Sequence, residues 1–214
     1  MATVYYRIKP TSAPNLSVPP VKYDQQYFNM LVNLLRLYFN QNDADWRALT
    51  STTGGLSINF PHGDFSSNVS QTALANTPTR ILLDTNEVSN DITFSSAGTI
   101  TVKQAAVYNV QFSIEAQNTD TTIHTIYVWV RQNGIDVPRS ASAWAVPNSH
   151  GGTPGYAVLA ANFNLSMNAG DYVELWWAIR NTQVSILYQP AQTTPFVMPA
   201  IPSVIITVNY VSEL

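Results

Sequence analysis

The stretch Tyr108-Asn109-Val110-Gln111-Phe112-Ser113-Ile114-Glu115 decides the fold. Apolar and polar side chains alternate one for one along it. A strand turns successive side chains to opposite faces, so the pattern predicts a strand with one face on a core and the other toward water. The run Val173-Glu174-Leu175-Trp176-Trp177-Ala178-Ile179 reads the same way, with Trp176 on the outer side beside Glu174. In a third run Ile126, Val128 and Val130 face one way, and Tyr127, Trp129 and Arg131 the other. Further strands are expected at 79–83, 99–103, 141–146, 156–165, 184–188 and 201–211. Turn signals separate them, among them Ala97-Gly98, Asn133-Gly134, Gly151-Gly152, Ala169-Gly170 and Gln189-Pro190. Many short strands so punctuated predict a mainly β protein, an antiparallel sandwich of jelly-roll type spanning residues 56–214.

Composition agrees. Hydrophobic residues make up 45% of the 214, enough for a packed core, while charged residues make up only 11%. Asn, Thr, Ser and Gln supply the polarity instead. Ten Lys and Arg against thirteen Asp and Glu leave no basic footprint, which argues against a nucleic-acid partner. The absence of cysteine removes disulfide scaffolds, thiol nucleophiles and cysteine-based zinc sites from consideration. No charged n-region followed by an apolar stretch opens the chain, and no apolar run approaches the ~20 residues of a membrane helix. Synthesis in a cytoplasm, with no membrane insertion, is the expectation.

The N-terminal part differs in kind. Residues 1–22 carry Pro10, Pro14, Pro19 and Pro20, which predicts an extended arm with Tyr5 and Tyr6 among its apolar teeth. Residues 23–50 hold the one convincing helix, expected over Asp24 to Leu49 with Asp24 as its N-cap. Its apolar residues include Phe28, Leu31, Leu34, Leu35 and Tyr38, together with Met30, Val32, Leu37 and Phe39. These are too many for one stripe, so more than one side of the helix needs a partner. Arm and helix are therefore expected to anchor the protein, with Tyr5, Tyr6, Phe28, Leu31, Leu34, Leu35 and Tyr38 as the anchoring residues. The large outward aromatics Tyr127, Trp129 and Trp176, with few charges expected nearby, point to a subunit interface.

Four segments carry a family resemblance. ITVKQAAVYNVQF (100–112), VWVRQNGIDV (128–137), LSMNAGDYVELWW (165–177) and SVIITVNYV (203–211) resemble the strands of the complement-type globular head within the tumour-necrosis-factor-like jelly rolls. Ala106 stands where that family usually has glycine. The resemblance implies a homotrimer packed around an aromatic-lined axis. The whole chain also resembles small virion proteins of tailed bacteriophages, on the arm and helix (VYYRIKP, PNLSVPPVKY, LLRLYFNQ), the link SINFPHGDFSSN (57–68) and the ending PAIPSVIITVNYVS (199–212). That likeness implies a non-enzymatic structural protein on the virion surface, whose partners are other tail or capsid proteins and a host glycan or surface protein.

The chemistry-bearing residues add little to this. His62, His124 and His150 show no metal-ligand spacing, and His62-Gly63-Asp64 reads as a turn in the link before the jelly roll. His150-Gly151-Gly152 reads as a glycine loop between strands, since no nucleophile elbow accompanies it. The Asp84–Asp91 segment gathers three carboxylates and two amides, a composition that can hold calcium, with a solvated loop as the simpler reading. No catalytic or metal residue and no cofactor is otherwise expected. The leading reading is a trimeric surface appendage, a short tail fibre or host-facing adhesin, held by its N-terminal arm and helix. A trimeric capsid decoration (cement or head-fibre) protein is the alternative, and a free lectin-like or ligand-type trimer the second.

Overall fold

The computed structural model describes residues 13–50 and 60–214, and the chain divides into two compact units, Met1–Phe60 and Pro61–Leu214. In the first unit, α1 spans Gln25–Thr50. Asp24 caps it as expected: its Oδ1 accepts hydrogen bonds from the backbone N–H groups of Gln26 (2.8 Å) and Tyr27 (3.3 Å). The preceding segment is tied to the first turn. The Tyr27 hydroxyl donates to the Ser17 carbonyl at 2.9 Å, and the Tyr23 and Phe28 rings stack at 5.3 Å. Tyr5 and Tyr6 lie outside the described residues.

The second unit is the expected antiparallel sandwich. Its strands are β1 (His62–Ser67), β2 (Thr79–Arg80), β3 (Thr85–Asn90), β4 (Ile92–Phe94), β5 (Thr99–Val102), β6 (Ala106–Asn118), β7 (His124–Gln132), β8 (Ile135–Asp136), β9 (Ser142–Val146), β10 (Gly155–Met167), β11 (Tyr172–Ile179), β12 (Val184–Ile186) and β13 (Val204–Ser212). One sheet runs β10-β6-β13-β1-β3, with β12 added to β6. The other runs β4-β5-β11-β7-β8, with β2 on β11 and β9 on β7. The chain passes from sheet to sheet at β1–β2, β2–β3, β3–β4, β5–β6, β6–β7, β9–β10, β10–β11 and β11–β12, which makes the sandwich a jelly roll.

The alternation of Tyr108–Glu115 is realised in β6. Tyr108, Val110, Phe112 and Ile114 are buried, against Val128, Val130, Leu175 and Trp177 of the other sheet and Val204, Ile206 and Val208 of their own. The Tyr108 hydroxyl, deep in this layer, donates to the Gln104 carbonyl at 2.9 Å. Burial, and then the Asp91 carboxylate, push its pKa upward.

Three expectations need correction. The link 57–68 is not a link over its second half: residues 62–67 form β1, hydrogen-bonded between β13 and β3. His62-Gly63-Asp64 is therefore strand and not turn. Its period-two signal is faint because the inward residues beside Phe65 are Gly63 and Ser67. Residues 84–91, read as a solvated loop, hold the edge strand β3, and β4 follows directly. The strand expected over 79–83 is only two residues long, although Ile81 and Leu83 are buried.

Pro61 and the C-terminal strand lie at one end of the sandwich, since the Tyr210 amide donates to the Pro61 carbonyl at 2.9 Å. The β10–β11 turn is at the same end, where the Gly170 amide bonds the Val102 carbonyl. The β6–β7, β9–β10 and β11–β12 connections lie at the opposite end, beside the paired residues Asn118, Gly155 and Val184.

Two glycines with positive φ separate conformational strain from collision. At Gly170 (φ +89°) an added Cβ meets nothing within 4 Å, whereas at Gly98 (φ +85°) it would lie 1.9 Å from the Ile81 carbonyl oxygen. Gly170→Ala should cost about 1–2 kcal/mol for the left-handed backbone alone. Gly98→Ala should cost clearly more, because backbone must shift as well. Urea denaturation of the two variants checks the ordering.

Candidate functional site

The outer face of the β11–β7 sheet carries a lattice of aromatic and charged side chains. Inward Ile126, Val128 and Val130 on β7 force Tyr127, Trp129 and Arg131 outward. On β11 the same alternation turns out Glu174, Trp176 and Ala178. The register sets Trp176 opposite Trp129, Glu174 opposite Arg131 and Ala178 opposite Tyr127. A tight turn at Asn133-Gly134, both with positive φ (53° and 78°), brings β8 back so that Asp136 faces Arg131.

The result is a closed set of charge-assisted contacts. Asp136 Oδ1 accepts from the Trp129 indole N–H (2.8 Å) and from Arg131 Nε. The Arg131 guanidinium lies 3.9 Å from the centre of the Trp176 ring. The Trp176 indole N–H donates to Glu174 Oε2 at 3.1 Å, and Arg80 on β2 closes on Glu174 Oε1. Glu174 is only 5% exposed, so this carboxylate depends on Arg80 and the indole for compensation. Asp136 is held below the ordinary carboxylate range, chiefly by its Arg131 hydrogen bond and then by that of Trp129.

The structure thus brings Tyr127, Trp129 and Trp176 together on one face, half-buried. The expected scarcity of charges around them is corrected: Arg80, Arg131, Asp136 and Glu174 are all woven between the rings. The sequence hid this because Arg80 and Asp136 come from two-residue strands whose pairing no periodicity announces.

The opposite sheet presents a different outer face, which mixes amides and hydroxyls with exposed Tyr156, Val158 and Ile205. Gln111 Nε2 donates to Asn109 Oδ1 (2.6 Å), and Asn109 Nδ2 to Asn164 Oδ1 (2.9 Å). Desolvation raises the pKa of Asp64 and of Glu115 on this face, and Glu87 adds to the effect at Asp64.

At the end of the sandwich away from Pro61, a polar cluster joins two connections. His124 Nε2 is 2.6 Å from Asp120 Oδ2, and Asn181 Nδ2 donates to the same oxygen at 3.1 Å. Buried Asn118 shapes this turn by accepting the Asp120 amide on Oδ1 and donating to the Thr122 carbonyl. None of the residues in this cluster was singled out for it by sequence, because Asn181 lies about sixty positions from Asp120. His150-Gly151-Gly152 nearby is the expected glycine loop between β9 and β10.

The Asp84–Asp91 carboxylates do not converge. Asp84 accepts the Asn68 amide, Glu87 accepts the Ser66 hydroxyl, and Asp91 faces Lys103 at 3.9 Å. Among the described residues no three side chains of metal-binding type form a group, and no helix is long and apolar enough to cross a membrane. On α1, Leu31, Leu34, Leu35 and Tyr38 are half-buried and Phe28 is exposed.

No family model matches the chain, and no curated protein matches it. Among solved structures, the globular domain of zebrafish complement 1qA protein is similar at 15% identity and a TM-score of 0.43, over 72% of this chain and 98% of that one. The jelly-roll assignment stands on the sheet order itself.

The Asp120 cluster makes a pH prediction. Its carboxyl is held at about 2, first by the His124 hydrogen bond and then by the Thr121 amide. A lowered folded-state pKa stabilises above the unfolded value, near 3.8, and that contribution is lost as pH falls toward 2. His124→Ala should move the Asp120 pKa upward toward 3.8. Carboxyl carbon chemical shifts followed from pH 5 to pH 2 measure the change.

Proposed function

We propose that the protein is a non-enzymatic structural component of a bacteriophage particle, a short trimeric appendage anchored by its N-terminal arm and helix and presenting the jelly roll to the host. The observation that carries this reading is the surface of α1. At ~100° per residue, Asn29, Asn33, Arg36, Asn40, Asp43 and Arg47 gather on one polar face. Most of the remaining circumference is apolar, with Gln41, Asn42 and Asp45 interspersed. Tyr27, Leu31, Leu34, Tyr38 and Leu49 form one half-buried stripe. Beside it Phe28, Val32, Leu35, Phe39, Asn42 and Trp46 follow spacings of four and three, the seam of a coiled coil. Val32, Phe39 and Trp46 are 52%, 62% and 65% exposed.

Such a seam is too apolar to stand in water without a partner, and copies of the same helix match it in register. The proposal therefore assigns trimer contacts to this seam. The charged lattice around Trp129 and Trp176 is less suited to a dry subunit contact, because burying it would strip water from paired ions. Arm and half-buried stripe remain for attachment. The helix spans only about 39 Å at ~1.5 Å per residue, and no second helix occurs among the described residues. That short reach equally favours a second reading, a button-like decoration on the capsid.

Mass measurement in solution tests the trimer. The full chain should give three times its 23.6 kDa mass at micromolar concentration. Phe39→Asp should dissociate it by placing an unpaired carboxylate in the seam. Asn33→Asp, on the polar face, should leave it intact. A monomer in the parent protein overturns the seam. Gold-labelled antibody on phage particles tests location: labelled particles are expected, and unlabelled particles beside soluble antigen overturn the virion assignment.

A further inference from the structure

We propose that the open depression beside Tyr127 and Trp129 binds an acidic glycan, seating a carboxylate-bearing pyranose against the two rings. This deepens the host-facing reading above and rests on it for its biological setting.

The relief of the surface comes first. The neighbours of Tyr127 across the sheet are Ala178 on β11 and Ala143 on β9. Ala141 and Ala178 also line the depression, together with Val137. Methyl groups on both sides of Tyr127 leave the phenol ring standing over low ground with apolar surface open, and the Trp129 indole lines the same depression. The C–H face of a pyranose is a flat apolar patch ringed by hydroxyls, which matches an aromatic wall with polar groups at its edge.

The charges then select the sugar. Arg80 is paired with Glu174, and Arg131 with Asp136. Arg139 and Arg180 have no carboxylate partner among the described residues. Arg180 stands 5.6 Å from the centre of the Tyr127 ring, and Arg139 lines the depression itself. Arg139 sits at φ +66°, a left-handed backbone held from below by Ser140. That buried hydroxyl accepts the Val130 amide (3.0 Å) and donates to the Val137 carbonyl (2.8 Å). The guanidinium is therefore carried on a fixed loop. In a chain of net charge −3, two uncompensated guanidiniums beside one aromatic depression reverse the local sign. A guanidinium grips a planar carboxylate by two parallel hydrogen bonds, which a neutral sugar does not offer. Asp136, also on the lining, uses Oδ1 for Trp129 and Arg131. Its Oδ2 has no partner among the described residues and is placed to accept a sugar hydroxyl. Aromatic walls and a carboxylate acceptor together favour a hydroxylated ring over an acidic peptide.

The test titrates the full chain, by calorimetry or ligand-observed NMR, with two pairs of probes, in each of which one oligosaccharide carries a carboxylate and the other is neutral. These are hyaluronan tetrasaccharide against chitotetraose, and 3′-sialyllactose against lactose. At least one acidic member should bind, about tenfold or more tighter than its neutral counterpart. Arg139→Gln should remove that difference, Tyr127→Ala should weaken both members of each pair, and Asn162→Ala on the opposite sheet should do nothing. The proposal is overturned if neither acidic probe binds, if both members of each pair bind equally, if Arg139→Gln has no effect in a variant with native-like amide spectra, or if a tetraglutamate peptide binds as tightly as the acidic sugars. Masses of the same samples keep the two readings apart. A trimer that binds no acidic sugar overturns the glycan site alone, and a monomer that binds one overturns the helical seam alone.

Discussion

Everything in the sandwich depends on β6 being hydrogen-bonded along both edges while one of its faces is dry. A thirteen-residue strand has a donor and an acceptor at each position, and none of those on the core side can be left without a partner. β10 satisfies one edge from Ala106 to Asn118, and β13 with β12 satisfies the other. With both edges occupied the register is fixed, because a slip of one residue would turn Val110, Phe112 and Ile114 to water. Partners of β6 inherit that register, and β1 takes it in turn from β13. The second sheet then closes over the shared apolar layer.

The alternating segments were legible for this reason. Where an inward residue is large and apolar and the outward one polar, as in β6, β7 and β11, sequence and structure agree nearly residue for residue. Legibility fails where the inward residue is small or the strand short. β1 turns Gly63 and Ser67 inward, so its period shows only at Phe65. β2 and β8 hold two residues each and exist because a neighbour offers an open edge, a condition no local pattern records. The helix and its cap at Asp24 were readable from a side-chain oxygen before an apolar run. The aromatic face was readable as aromatics and misread as sparsely charged, since two of the four ions that thread it, Arg80 and Asp136, come from those same short strands.

The two faces of the sandwich consequently carry different chemistry on one scaffold. One carries amides that bond among themselves, as Gln111, Asn109 and Asn164 do, beside a few carboxylates and exposed apolar side chains. The other interleaves indoles with guanidiniums and carboxylates, each holding the next in place. Rigid side chains of this kind bind with little loss of rotamer freedom, since their freedom is already spent within the fold. A chain with 11% charged residues concentrates arginine on that face, so its low overall charge and its locally ionic surface are compatible.

The placement of the last strand bears on how foreign sequence would be carried. That strand ends beside Pro61, so a peptide fused to the C-terminal end of β13 would leave from the end of the sandwich at which its chain enters. The β9–β10 connection leaves from the far end. There an added Cβ on Gly151 or Gly152 would touch nothing within 4 Å, and both glycines are exposed. A guest epitope spliced into that loop would be displayed at the end of the sandwich opposite Pro61.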